Sequence, residues 1–237
     1  MRALAIAGHG ASRIAQLTGL PRGTIRHWLD GELPRAGSCE RCGSDHDTGA
    51  LPRPAYAYVL GMYLGDGCLL RQLRGVWRLE ISLDSRYPAI VAECAAAVTE
   101  VMSRNRVAVV EDHGKGRFAI VRSYSRSWPC LFPQHGPGRK HERDIVLAPW
   151  QLEIVDAHPG LFVRGLVHSD GCRVLNRVNG KDYPRYHFTQ VSDDIRRLFC
   201  RSLTQLGIDY TWNDARNVSV ARRASVAKLD EFVGPKS

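Results

Sequence analysis

The 237-residue sequence contains no run of roughly eighteen or more apolar residues, which excludes an ordinary membrane-spanning helix. Met1 to Ala7 is too short and too poorly flanked to act as a secretory signal. The seven cysteines are odd in number and lack a framework of spacings, which excludes a small secreted disulfide scaffold and points to a reducing cytoplasm. Acidic residues are in deficit, with 24 Asp and Glu against 33 Lys and Arg, for a net charge of +9. Lysine is scarce beside arginine. So basic a chain favours an anionic polymer as partner, nucleic acid first. An arginine-rich proteome would give the same balance, so arginine placement has to decide. The length suits one substantial core plus a small module.

What is present in duplicate carries more information. Tyr58-Val-Leu-Gly-Met-Tyr-Leu-Gly-Asp66-Gly-Cys68 and Phe162-Val-Arg-Gly-Leu-Val-His-Ser-Asp170-Gly-Cys172 match at Val59 and Val163, Gly61 and Gly165, Asp66 and Asp170, and the Gly-Cys that follows. So long an offset implies a duplicated half-domain rather than a solenoid repeat. Each segment reads as a helix, with a proline near its start (Pro54, Pro159) and a glycine after its last turn. Gly61 and Gly65, or Gly165 and Ser169, lie four apart on one face, where small residues let two helix backbones approach closely. A carboxylate at a helix C-terminus faces the negative end of the dipole, a loss of ~0.3 to 1 kcal/mol. Were the helices side by side, Asp66 and Asp170 at ~5 Å and an effective dielectric near 20 would also repel by roughly 3 kcal/mol. Two acids so poorly placed for stability point to a cation between them.

On these residues the chain resembles the LAGLIDADG homing endonucleases in their monomeric, two-motif form. The resemblance implies that the motif helices form the interface between pseudo-symmetric halves. It also implies that Asp66 and Asp170, the last acid of each motif, are catalytic and hold Mg²⁺ for hydrolysis of double-stranded DNA at a long asymmetric site. Leu64 and His168 stand where the family often has an earlier acid, a position that does not ligate metal. The implied fold is α+β, two αββαββα halves, spanning residues 54–133 and 158–237, joined by a bridge at 134–157. The family also includes DNA-binding regulators that keep the fold without cutting, which gives an alternative reading.

Residues 1–31 read as a separate helix-turn-helix. Ser12 to Leu17 forms a short helix with Ser12 as N-cap, Thr18-Gly19-Leu20 a turn, and Pro21 to Asp30 a second helix. Ala15, Gly19, Leu20, Ile25 and Trp28 have the spacing of packing residues. Arg22, Thr24, Arg26 and His27 would face DNA. Residues 32–53 read as a linker rich in Gly and Pro, containing Cys39-Glu-Arg-Cys42-Gly and then His46. A structural zinc needs four ligands, and Cys39, Cys42 and His46 supply at most three, so a zinc knuckle and a pair of plain linker thiols both stay open.

Alternation in the second strand of the first half places Trp77, Leu79, Ile81 and Leu83 on one face, with Arg78, Glu80 and Ser82 on the other. Arg185, His187 and Thr189 match the polar side in the second half. Arg71, Arg74, Arg78, Arg173, Arg177 and Arg185 gather on the strand pairs that follow the acidic helices, as expected of a DNA-facing saddle. The residues expected to complete the site are Arg78, His187, Gln190 and Lys228. A soluble, nucleoid-associated monomer in the cytoplasm completes the expectation.

Overall fold

The computed structural model describes residues 8–19, 22–29, 48–112 and 117–234, together with residues 4, 39, 42 and 236. It divides into two units, 1–47 and 48–237. In the first, helix α1 (Ala11–Thr18) and helix α2 (Arg22–Leu29) pack through Ile14 and Ile25, each buried. Gly19 closes α1 in the left-handed conformation at φ 68°, as a tight turn requires. The cap differs from expectation: Gly10, not Ser12, precedes the first helical residue, and Ser12 lies inside the helix. Leu20, Pro21 and His46 lie outside the described residues, as do the side chains of Thr24, His27 and Trp28.

The second unit is α+β. Helix α3 (Arg53–Asp66) leads into strands β1 (Gly67–Arg71) and β2 (Trp77–Asp84), helix α4 (Pro88–Val101), strands β3 (Val107–Asp112) and β4 (Phe118–Ser125), and the single-turn helix α5 (Trp128–Leu131). After α6 (Pro149–Ala157) the order repeats as α7 (Pro159–Asp170), β5 (Gly171–Val178), β6 (Lys181–Thr189), α8 (Asp193–Gln205), β7 (Thr211–Trp212), β8 (Asn217–Val220) and α9 (Arg223–Phe232). Each half has one antiparallel four-stranded sheet, ordered β1-β2-β4-β3 and β5-β6-β8-β7. Strand β6 begins earlier than its alternation suggests and runs through Pro184. Before Tyr186 the strand pairs with β5 alone, so a residue without an N–H is tolerated on the open edge.

Burial explains the arrangement. Ala55 through Leu64 are all buried, so α3 is apolar around its whole circumference and belongs at the centre of the unit. It lies against α7, whose Phe162, Val163, Leu166 and Val167 are buried. Each sheet then lays its apolar face on this helix pair: Leu79, Ile81 and Leu83 from β2, Tyr186 and Phe188 from β6. The bridge is partly ordered by polar bonds. Gln151 on α6 donates to the Tyr56 hydroxyl at 2.7 Å and accepts from Gln134, which also donates to Val146 O.

Candidate functional site

Glycine sets how closely α3 and α7 approach. A Cβ added at Gly61 would stand 2.5 Å from Phe162 O and 2.9 Å from Leu166 N, and one at Gly165 would collide with Tyr58 O. These are backbone atoms that cannot move aside without separating the helices. One turn further on, a Cβ at Gly65 would collide with Ser169 and stand 2.9 Å from Asp170 Oδ2. The small residues therefore bring the two helix C-termini, with their aspartates, to one place.

The electrostatics at that place are adverse to two free carboxylates. Burial, then the charge of Asp66, push the Asp170 carboxyl up to about 7. Burial likewise raises Asp66, opposed by Lys140 and Lys236. Gln190 Nε2 donates to Asp170 Oδ2 at 2.7 Å. Its orientation is held because Ser192 N donates to Gln190 Oε1 at 3.1 Å and Arg196 Nη1 donates to Gln190 O at 2.6 Å.

Two lysines that sequence reasoning missed complete the site. Lys140 Nζ donates to Tyr63 O, Leu64 O and Gly65 O at 2.6, 2.9 and 2.7 Å, satisfying the carbonyls left open at the end of α3. Burial lowers it to about 8, against the pull of Asp170 and Asp66. Lys236 Nζ donates to His168 O at 2.9 Å near the end of α7. Each lysine comes from the segment that follows the last helix of its half, so the pair keeps the internal symmetry. Their positive charge also offsets the dipole penalty at the two C-termini. Lys228 lies elsewhere, donating to Gly207 O at 3.0 Å.

His168, at the position of the family's earlier acid, is buried in α7. The Tyr58 hydroxyl and His168 Nδ1 are 2.9 Å apart, and burial with the nearby Arg164 charge lowers the imidazole to about 4. It is therefore neutral near pH 7 and bridges the two motif helices, with its ring nitrogens at the Tyr58 hydroxyl and near Val233 O.

Strand register sorts the arginines. Cys68 pairs with Glu80 and Leu70 with Arg78, while Cys172 pairs with His187 and Val174 with Arg185. Paired residues share a face, so Arg78, Arg185 and His187 lie on the faces turned away from the core, next to the strand starts that follow the acids. Arg78 and Arg122 both pair with Glu80 Oε1, at 3.0 and 2.7 Å. Arg122 was missed by sequence reasoning. Arg173 pairs instead with Tyr186 on the core side and makes a two-point ion pair with Asp230 of α9 at 2.7 and 2.8 Å. Arg177 shares that side and bonds Asp182 at 2.8 Å. Arg71 pairs with Trp77, again on the core side, and Arg74 occupies the turn between β1 and β2 at φ 59°. Only Arg78 and Arg185 of the six form a symmetric pair on the open faces. In the first unit, Arg22 and Arg26 are exposed, and Cys39 and Cys42 are half-buried.

No helix among the described residues is long and apolar enough to cross a membrane. The donor set at the acids fits a hard divalent ion such as Mg²⁺. It offers carboxylate oxygens whose mutual repulsion a cation would relieve, and Mg²⁺ needs only one or two carboxylates because it keeps several waters.

A glycine-contacted helix pair carrying two acids beneath two sheets defines the LAGLIDADG fold. Among solved structures, mesophilic variants of the homing endonuclease I-DmoI align with a TM-score of 0.52 and 16% identity, over 76% of this chain and 89% of theirs. I-DmoI in complex with DNA and Mn aligns at 0.51 and 16%, covering 77% and 97%. A variant of I-DmoI with its target DNA and Mg aligns at 0.50 and 16%, over 76% and 96%. At this identity the likeness shows the fold alone. No family model matches the chain, and neither does any curated protein.

Proposed function

We propose that this chain is a divalent-metal-dependent endonuclease that cuts double-stranded DNA at a long asymmetric site. The observation that carries the reading is the pair Asp66 and Asp170, brought together on glycine-contacted helices at a cost to stability. A folded protein gains nothing from holding two repelling carboxylates there unless a ligand repays it.

Asp66 and Asp170 would hold Mg²⁺, which when bound stabilises the attacking and leaving oxygens of in-line phosphodiester hydrolysis. The chain's own residues do the rest. Gln190 fixes the orientation of the Asp170 carboxylate. Lys140 has committed all three of its N–H groups to helix carbonyls and contributes its charge. Among the described residues Lys236 makes one such bond, and its ammonium has two further donors that a phosphate oxygen could take. Arg78, Arg185 and His187 lie on the open sheet faces, where arginine can meet guanine edges or phosphates in the major groove. Because the halves differ in sequence, each would read a different half of the site as the protein binds as a monomer. Arg71, Arg74 and, once their ion pairs open, Arg173 and Arg177 would act at the margins of that surface.

A non-cleaving DNA-binding regulator is the second reading. It is favoured by the separate N-terminal unit, whose exposed Arg22 and Arg26 suit a second DNA contact. Zinc at Cys39 and Cys42, with His46, is a subsidiary proposal resting on the spacing. One zinc per purified chain by atomic absorption would support it, and none would end it.

The test mixes the full chain with a plasmid library carrying its genomic flanks, in Mg²⁺ or Ca²⁺, beside an Asp66→Asn, Asp170→Asn variant. Mg²⁺-dependent double-strand cuts that vanish in the variant support the endonuclease. Salt-sensitive binding by both proteins without cuts leaves the regulator, and no binding at low salt removes both.

A further inference from the structure

The segment after α9 is tied down by charged side chains of α7 and by its own lysine. Arg164, on the face of α7 away from the glycine contact, makes a two-point bond to Glu93 of α4, Nε to Oε1 at 2.6 Å and Nη2 to Oε2 at 2.7 Å. Its Nη1 donates to Phe232 O at 2.5 Å and to Val233 O at 2.7 Å. One guanidinium thus joins a helix of the first half, a motif helix of the second, and the backbone at the end of α9. His168 Nε2 lies 3.4 Å from the same Val233 carbonyl, with its other nitrogen at the Tyr58 hydroxyl. Three residues beyond Val233, Lys236 bonds His168 O and lines a cavity of about 500 Å³ together with Asp66, Ser169 and Cys172.

Each part has a physical reason. Val233 follows the last residue of α9, so its carbonyl and that of Phe232 belong to the open C-terminal end and need donors. A guanidinium can satisfy both and still present a parallel pair of N–H groups to a carboxylate, which an ammonium cannot. Nothing in the packing of α9 itself demands that the donor come from the middle of a motif helix. That origin couples the end of α9 to the helix carrying Asp170.

We propose that Arg164 is a positioning residue that acts through Lys236, clamping the C-terminal segment so that the Lys236 ammonium stands at the Asp66 and Asp170 site. The clamp makes Lys236, which follows α9, a component of the site. It also makes the site depend on contact between the halves, because Glu93 belongs to one and Arg164 to the other. The proposal rests on the endonuclease reading for its consequence, though not for its geometry.

A double-mutant cycle separates this role from a merely structural one. Cleavage rates of the full chain on its recovered duplex are measured for Arg164→Met, Lys236→Met and the double variant, with thermal melts alongside. The expected result is a loss of tenfold or more for each single variant, and a double variant no slower than Lys236→Met alone. Arg164→Lys, which keeps the charge but not the fork, should fall between wild type and Arg164→Met. If Arg164→Met does not fold, Glu93→Gln replaces it in the cycle, weakening the clamp while keeping a neutral hydrogen-bond acceptor. In parallel, hydrogen exchange of the peptide covering 233–236 should quicken in Arg164→Met but not in an Asp66→Asn control. Losses that multiply in the double variant, or unchanged exchange, would overturn the proposal. A wild-type chain that never cuts removes the endonuclease reading instead, and the exchange result alone then decides the clamp.

Discussion

Replacing Asp170 with asparagine should make the folded protein more stable at pH 8 while removing the proposed metal-dependent cleavage. In the folded chain burial and Asp66 push this carboxyl from 3.8 up to about 7. The sign follows from linkage: between about pH 4 and pH 7 the folded form keeps a proton that the unfolded form has lost. The stability owed to the neutral carboxyl is complete below about pH 4 and gone above about pH 7, so ionised Asp170 opposes folding at pH 8. At ~1.4 kcal/mol per pKa unit the ceiling is about 4 kcal/mol. Asp170 retains some contact with solvent, which screens the interaction and brings a realistic gain to about 2 kcal/mol. Asparagine still offers an oxygen to Gln190 Nε2, so no hydrogen bond need be lost. For a domain of this size the melting temperature should rise by about 4 to 8 °C. Scanning calorimetry without divalent ions, at pH 8 and pH 5, reads it directly. The gain should be smaller at pH 5 than at pH 8, because at pH 5 the folded carboxyl still holds its proton. An unchanged or lower melting temperature for Asp170→Asn at pH 8 would refute the view that this acid is held against the preference of the fold.

Further outcomes test other parts of the account. Gly61→Ala should destabilise the chain by about 1 to 3 kcal/mol in urea unfolding, since the new methyl meets Phe162 O at 2.5 Å. Gly10→Ala, where a Cβ meets nothing within 4 Å, serves as the mild control. Arg78→Ala and Arg185→Ala should each weaken DNA binding and, where the contact is to phosphate, lower the slope of log affinity against log salt by about 1. Arg201→Ala, which loses an exposed pairing of α8 with Asp156, should leave that slope nearly unchanged in the same titration. Added Mg²⁺ should raise the melting temperature of the wild type at pH 8 and not that of Asp66→Asn, Asp170→Asn, because an ion stabilises only the form that binds it.

The parts of this molecule legible from sequence are those in which a local pattern meets one physical demand. Close approach of two helix backbones needs glycine, so Gly61 and Gly165 could be read from the repeat, and the aspartates followed from their fixed distance along the helix. Alternation in β2 separated the buried Leu79, Ile81 and Leu83 from Arg78 and Glu80 for the same reason. The arginines of β5 were harder. Proximity in sequence grouped Arg173 with Arg185, but a strand's facing is set by register across the hairpin, and that register gives Arg173 to Asp230. The lysines were not legible at all. Lys140 opens a single 3-10 turn outside the repeated elements and Lys236 follows α9, and only the assembled fold brings them to the ends of α3 and α7. His168 was visible as a departure from the family pattern, yet its bond to Tyr58 belongs to packing that no spacing encodes.

The most direct measurement follows binding of Mn²⁺ to the full chain, through loss of the free-ion paramagnetic resonance signal at pH 8 and pH 6. If Asp66 and Asp170 form one cation site, the wild type binds saturably at pH 8, and more weakly at pH 6, where the Asp170 carboxyl holds its proton. Asp66→Asn, Asp170→Asn should bind at least tenfold more weakly at pH 8. Equal binding by the two proteins at pH 8 would contradict the account, because the ion would then lie somewhere other than between the two helix ends.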